Sequence, residues 1–269
     1  MNNLIVGNTS QLSYFFPDEN FVKISSRNLN LENLTKQEWG KVFICFGESR
    51  KFITDINLHD DINFYFTIKV VDALLESAES IIIYSTCELW NKCEGQISLD
   101  SEFNFYSTPY TQSKYKLSQF VLSNRQKYKN VIILYPFNFN SIYRSVDFLF
   151  GKIFHSIVNK KMIEIGDTYF YRDIIHPKYV VDQSLSAKSD NIIGSGRKVF
   201  VNDFIRDLYD YFGLRYQDLV LENYKKFNEY SKKNEYYLGS NTCTYNYKEL
   251  FEDTVKDIKL NIQHGYQIL

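Results

Sequence analysis

Charge of one sign is what the sequence most plainly lacks. Its 269 residues carry 31 Lys and Arg against 32 Asp and Glu, for a net charge of -1. Duplex nucleic acid is held by a cationic excess that displaces counterions, so a nucleic-acid partner is excluded on this count. Long apolar runs are also missing: none approaches the roughly 18 residues of a membrane span, and no membrane association is expected. The N-terminus, Met1-Asn2-Asn3-Leu4-Ile5-Val6-Gly7, has neither the cationic start nor the apolar stretch of a secretory signal. Only four cysteines occur (Cys45, Cys87, Cys93, Cys243). Cys87 and Cys93 are six apart with no second pair and no nearby His, which excludes a structural zinc, and no metal is expected. Reduced thiols in a cytoplasmic protein are the simpler reading. No internal repeat and no low-complexity linker is present.

What is there is ordinary for a folded chain. An apolar share of 44% beside 23% charged residues rules out global disorder. The 22 Tyr and 22 Phe, with many Asn, Lys and Ile, reflect a bias of the coding sequence toward A and T rather than an aromatic ligand platform. At roughly 100–200 residues per domain, the length fits one large domain or a core plus a lobe.

Apolar strand-like runs alternate with amphipathic stretches. Leu4–Val6, Phe21–Ile24, Val42–Phe46, Ser80–Tyr84 and Val131–Leu134 are predicted strands. Ser10–Phe16 is predicted as a short helix stopped by Pro17. Phe64–Ala78 has apolar residues at helical spacing (Phe64, Ile68, Val71, Leu74, Leu75, Ala78), and Pro109–Gln126 is a further helix. Continuous apolar strands separated by helices imply a parallel sheet covered on both faces, hence a doubly wound α/β fold of the Rossmann type. Beyond residue 140 the pattern is mixed. Helices are expected over Val146–Ile157, Val199–Phe212 and Tyr247–Leu260, with a strand and turn at Met162–Asp167. The expected division is a dinucleotide-binding core over residues 1–160. A smaller, mostly substrate-binding C-terminal lobe follows over 161–269, with some of its segments returning to the core.

Two places invite a ligand. The loop Gly7-Asn8-Thr9-Ser10-Gln11-Leu12-Ser13 follows the first strand, where a tight turn brings backbone N–H groups to a pyrophosphate. On a G-x-x-G-x-x-G pattern only Gly7 survives, and Ser10 and Ser13 stand for the other glycines. Serine is small and its hydroxyl can bond a phosphate oxygen. The second strand then ends Ile24-Ser25-Ser26-Arg27, with no acid before Glu32. An acid there suits the ribose 2′-hydroxyl of NAD, whereas a guanidinium suits the 2′-phosphate of NADP, so NADP(H) is favoured and NAD remains the alternative.

The second place is Tyr110-Thr111-Gln112-Ser113-Lys114, a Y-x-x-x-K that opens a helix between two strands. Four residues apart, the two side chains share a helical face. An ammonium beside a phenol favours the phenolate and lets the tyrosine exchange protons near neutrality. The preceding strand ends Ser85-Thr86-Cys87-Glu88-Leu89-Trp90, with a hydroxyl at its carboxyl end.

With these segments in order, the chain resembles the extended short-chain dehydrogenase/reductases that modify nucleotide-linked sugars, over nearly its whole length. Ser85–Trp90 is similar to the family's S-[ST]-x-x-[VL]-[YF] segment, and Pro109–Lys114 to its P-Y-x-x-[ST]-K. Tyr135-Pro136-Phe137-Asn138 is similar to its R-P-x-N, with Tyr for Arg. Tyr171-Arg172-Asp173-Ile174-Ile175-His176 resembles its R-D-[FW]-[IV]-[HY], and Gly194-Ser195-Gly196 its N-x-G-x-G turn. The resemblance implies Thr86, Tyr110 and Lys114 as catalytic residues, with Glu88 where dehydratases of the family carry an acid/base carboxylate. It implies cofactor contacts from Gly7, Thr9, Ser10, Gln11, Leu12, Ser26, Arg27, Phe46, Gly47, Lys114, Pro136 and Asn138. Substrate contacts fall to Arg172, Asn138 and Thr86. Cys87 stands where those dehydratases have a second acid and is read as a small buried hydrophobe. His176 is read as packed or positional. The expected activity is NADPH-dependent reduction of a 4-keto-6-deoxy sugar on a nucleoside diphosphate, in bacterial surface-glycan precursor synthesis, by a homodimer. Two alternatives stay open: a redox-neutral C4 epimerase or 4,6-dehydratase using Glu88, and a non-catalytic NADP-binding regulator.

Overall fold

The computed structural model describes residues 1–223, 237–239 and 245–264. Cys243 lies outside them. The described chain divides into two compact units. Unit 1 comprises Met1–Lys92, Leu99–Pro136 and Val180–Ile193; unit 2 comprises Cys93–Ser98, Phe137–Tyr179 and the chain from Gly194 onward.

Unit 1 is built on a six-stranded parallel sheet. Its strands are β1 (Asn2–Val6), β2 (Phe21–Ile24), β3 (Trp39–Ile44), β4 (Ala78–Tyr84), β5 (Val131–Pro136) and β6 (Asn191–Ile193). Their spatial order is β2-β1-β3-β4-β5-β6, and every neighbouring pair is parallel. Strands buried on both faces must be apolar at consecutive positions, and Leu4-Ile5-Val6, Val42-Phe43-Ile44 and Ile81-Ile82-Ile83 are at most 3% exposed. The chain steps from β1 outward to β2 and then returns to the other side of β1. That reversal makes the carboxyl ends of β1 and β3 the topological switch point, where open sheets form a crevice.

Besides four-residue helices at Leu31–Leu34 and Tyr216–Leu219, the helices among the described residues are α1 (Ile56–Asp60), α2 (Thr67–Leu74), α3 (Pro109–Ser123), α4 (Leu149–Asn159), α5 (Pro177–Ser186), α6 (Val201–Tyr211) and α7 (Tyr247–His264). A π-helical segment, Asp61–Phe66, joins α1 to α2 without a break. The helical stretch predicted over Phe64–Ala78 therefore starts eight residues earlier, where the Asp55 carboxylate caps the N–H groups of Asn57 and Leu58. It also ends at Leu74, and Ala78 already belongs to β4. The helix predicted over Ser10–Phe16 shrinks to a three-residue 3-10 turn, Ser13–Phe15. α3 starts where the sequence placed it: Thr108 and Thr111 form a capping box and Pro109 occupies the first turn.

Unit 2 combines α4, α6 and α7 with short strand pairs. Asn138–Phe139 runs parallel to Ile174–Ile175, and Ile163–Ile165 runs parallel to Val220–Glu222. Tyr171–Arg172 pairs antiparallel with Val199–Phe200, so the helix predicted from Val199 begins two residues later. Among the described residues, no helix is long and apolar enough to cross a membrane.

Candidate active site

The switch point of unit 1 is closed by a glycine that nothing else can replace. Gly7 follows β1 at φ 107°, and a Cβ there would stand 2.8 Å from the backbone N of Phe46, the second residue past β3. A Gly7→Ala protein is expected to lose at least about 2 kcal/mol of stability, because both the backbone angle and the fixed neighbouring backbone must give way. Urea denaturation of the apoprotein measures it, and a loss under about 0.5 kcal/mol would contradict this packing.

The rest of the first loop holds itself together. The N–H groups of Gly7 and Asn8 both reach the Ile24 carbonyl at the end of β2. Ser13 is buried, and its hydroxyl donates inward to the carbonyls of Asn8 (2.7 Å) and Ser10 (2.6 Å). That proton is spent within the loop, so Ser13 does not take the phosphate-bonding role its position suggested. Ser10 is half-buried and accepts from the Leu12 N–H at 3.3 Å. Gln11 and Leu12 are buried, while Thr9 is exposed. With only a one-turn 3-10 segment in this crossover, unit 1 offers no α-helix N-terminus beside Gly7. Past β2, Ser26 is half-buried and Arg27 points to solvent.

Three polar residues at four-residue spacing, His59, Asn63 and Thr67, lie buried along the α1–π–α2 run. Sequence reading missed them because it followed the apolar stripe. Their spacing was the available signal, since buried polar groups at i, i+4 and i+8 need partners on one facing element. Asn63 accepts from the Glu48 N–H (2.8 Å) and donates to the Glu48 carbonyl (2.9 Å) and to Ser113 Oγ (3.0 Å). Ser113 in turn donates to the Tyr110 carbonyl at 2.9 Å. One amide thus ties the loop carrying Phe46 and Gly47 to the helix carrying Tyr110 and Lys114. His59 faces the Tyr110 ring with centroids 6.2 Å apart, and its Nε2–H donates to the Ile53 carbonyl at 3.1 Å.

Lys114 and Tyr110 are both nearly buried on α3. The Lys114 ammonium donates to the carbonyl of Tyr84, the last residue of β4, at 2.8 Å. A Cβ on Gly47 would lie 3.6 Å from that nitrogen, which puts the post-β3 loop directly against it. Burial pulls the Lys114 pKa down to about 8. Thr86 follows β4 and is buried. Its oxygen accepts from the Glu88 N–H at 3.2 Å, which uses one lone pair and leaves the hydroxyl proton for another partner. Glu88 is bracketed: Lys51 Nζ lies 2.7 Å from one carboxylate oxygen and Asn91 Nδ2 donates to the other at 3.0 Å. Cys87 is buried beside it. Tyr135, standing for the resemblance's arginine, is a core residue. Its ring packs on Trp90 and Phe103, and burial pushes its pKa up to about 12. Pro136 closes β5.

Unit 2 carries the other assigned residues. Asp173 is fully buried and its carboxylate accepts four hydrogen bonds, from the N–H and hydroxyl of Ser195 (2.9 and 2.6 Å) and from the N–H groups of Gly196 and Gly239 (both 2.9 Å). Gly194 must be glycine, since a Cβ there would stand 2.8 Å from both Asp173 Oδ2 and the Gly239 Cα. Arg172 is not engaged by Asp173. It donates to the Tyr171 carbonyl at 2.8 Å and covers the Phe170 ring. Asn138 Nδ2 donates to the Asp173 carbonyl at 3.4 Å. His176 is buried, takes the Lys178 N–H at Nδ1 and donates from Nε2 to Asp257 at 2.9 Å, which marks it as positional. No group of metal-ligating side chains occurs among the described residues.

The residues of unit 1 fit one end of a dinucleotide better than the other. A desolvated ammonium, a buried phenol one turn away and a strand-end hydroxyl suit a redox ring and its ribose. The pyrophosphate end keeps the glycine turn without a helix behind it.

No protein-family model and no curated protein sequence matches the chain. Solved structures do. A UDP-N-acetylglucosamine 4-epimerase from Methanobrevibacter ruminantium, in complex with UDP-N-acetylmuramic acid, is similar at TM-score 0.81 and 14% identity, over 97% of this chain and 98% of that one. RMD from Pseudomonas aeruginosa, complexed with NADPH, reaches 0.75 at 15% identity, over 97% and 100%. A UDP-glucuronic acid 4-epimerase from Bacillus cereus with NAD reaches 0.76 at 14% identity, over 98% of each. At these identities the likeness is one of fold, and the chain has the Rossmann-type fold of these enzymes.

Proposed function

We propose that the chain is an NADPH-dependent reductase of a 4-keto-6-deoxy sugar carried on a nucleoside diphosphate. The observation that carries the reading is the set of Thr86, Tyr110 and Lys114 about the carboxyl end of β4, with Lys114 bonded to the Tyr84 carbonyl and pressed against Gly47. NADPH, when bound, supplies the hydride that the sugar carbonyl carbon receives. Tyr110 gives its phenolic proton to the forming alkoxide, and Thr86 donates its remaining hydrogen bond to the same oxygen. Lys114 holds the ribose beside the ring and, as a cation one helical turn from the phenol, favours the phenolate that remains. Gly7, Thr9, Ser10, Gln11 and Leu12 line the pyrophosphate side. Ser26 and Arg27 favour the 2′-phosphate, and Phe46, Gly47, Pro136 and Asn138 complete the cofactor contacts. Arg172 and Asn138 are assigned to the sugar nucleotide, with Arg172 on the diphosphate.

Two observations support reduction over a redox-neutral reaction. Glu88, the carboxylate an epimerase or dehydratase would use, has both oxygens engaged by Lys51 and Asn91. No acid stands between β2 and Glu32 to select the cofactor without the 2′-phosphate. The test follows NADPH oxidation at the nicotinamide absorbance with a panel of 4-keto sugar nucleotides. Consumption of one NADPH per product, faster than with NADH, is expected. Turnover without added NADPH by protein that copurifies with NAD would replace this reading with the epimerase or dehydratase one. Binding of NADPH with no turnover would replace it with the regulator.

A further inference from the structure

Lys51 stands on the loop after β3, about half exposed, and nothing in the reductase chemistry asks for it. Its ammonium nonetheless sits 2.7 Å from the Glu88 carboxylate, which is only 14% exposed. The second carboxylate oxygen takes the Asn91 amide at 3.0 Å, and the Glu88 backbone N–H is held by Thr86 Oγ at 3.2 Å. Glu88 is therefore fixed at three points directly beside a proposed catalytic hydroxyl. A carboxylate with a cation on one oxygen and an amide donor on the other is stabilised as the anion and held in place, which makes it a weaker base for a carbon-bound proton.

We propose that Lys51 is a specificity-determining positioning residue: it clamps Glu88 so that this carboxylate does not act as a base on the substrate. The proposal rests on the 4-keto sugar reading of the preceding subsection. A 4-keto sugar has acidic C–H bonds on the carbons flanking its carbonyl. Were Glu88 released, one such C–H would break, its proton passing to the carboxylate and its electron pair moving into the carbonyl to give the enolate. Return of a proton to the same carbon restores the ketone, scrambled with solvent. A reductase gains by suppressing this step, since it erodes the stereochemistry next to the carbon being reduced.

The experiment measures deuterium uptake from heavy water into a nucleoside-diphosphate 4-keto-6-deoxy sugar by proton NMR, with NADP+ present so that no reduction competes. The parent is expected to leave exchange near the buffer rate. The K51M protein is expected to raise it about 10-fold, and adding Glu88→Gln to K51M should return it to the parent level. Lys51 is half exposed, so folding of the variant is not at stake, and its melting curve should overlay the parent's. Exchange in K51M equal to the parent's, or parent exchange already as fast as K51M, overturns the clamp. If K51M shows Glu88-dependent exchange while the parent oxidises no NADPH, the reductase reading fails and the clamp stands. If the parent reduces the sugar and K51M exchanges no faster, the reverse holds.

Discussion

A Tyr110→Phe protein is expected to bind NADPH as the parent does and to reduce the 4-keto sugar nucleotide at least about 100-fold more slowly, in the range that loss of a positioned proton donor produces. The two measurements separate because of where the hydroxyl sits. α3 is fixed by the Thr108–Thr111 capping box and by the Asn63–Ser113 bridge, neither of which touches the Tyr110 side chain. Phenylalanine also keeps the aromatic ring that meets His59. What is lost is one O–H. Cofactor binding followed by fluorescence and initial rates on one preparation decide the matter. A variant within about threefold of the parent rate would remove Tyr110 from the chemistry and leave only the fold.

The second large effect runs in opposite directions for stability and for rate. A Lys114→Met protein should be more stable than the parent at pH 7 by about 1–3 kcal/mol and turn over at least about 100-fold more slowly. Burial lowers the Lys114 pKa from its ordinary 10.5 to about 8 in the folded chain. Below pH 8 both folded and unfolded chains hold the proton, and the folded state bears the full cost of a desolvated ammonium. That cost is about 3 kcal/mol for a shift of this size, less what the bond to the Tyr84 carbonyl returns. Between pH 8 and about 10.5 the unfolded chain binds the extra proton, so the parent gains stability as pH rises and the variant's advantage fades. Urea midpoints at pH 7 and pH 10 test the sign. An advantage that is absent at pH 7, or that grows toward pH 10, would show that the ammonium is solvated.

Much of unit 1 was legible because its strands are read from composition alone. Ile81-Ile82-Ile83 and Val42-Phe43-Ile44 are too apolar and β-branched for anything but buried strands, and their order with the helices implied the parallel sheet. Pro109 likewise marked the start of α3, and so the height of Tyr110 and Lys114 in the unit. Illegible features were those that depend on distant partners. β6 is three residues, Asn191–Ile193, and exists because β5 offers it an edge. The two-residue strands of unit 2 pair across long stretches of chain, 36 positions between Asn138–Phe139 and Ile174–Ile175 and 142 between Gly95–Gln96 and Tyr237–Leu238, and carry no period of their own. His59 and Asn63 precede the helix predicted from Phe64, and both lie buried in the helical run that the structure extends back to Ile56. In the first loop the small size of Ser13 was readable, but the direction of its hydroxyl was not, and that direction removes it from the phosphate. Lys51, exposed and in a loop, gave no hint that it meets Glu88.

The three-residue turn between β1 and β2 bears on how long a dinucleotide stays. An enzyme that borrows a hydride and gives it back within one visit of its substrate profits from never letting the nucleotide leave. One that spends a reduced nucleotide on every product must discharge the oxidised form before it can start again. On the reductase reading, a diphosphate beside Gly7 lacks the grip of a helix dipole, and its departure is expected to keep pace with supply rather than to hold the chemistry at Tyr110 back.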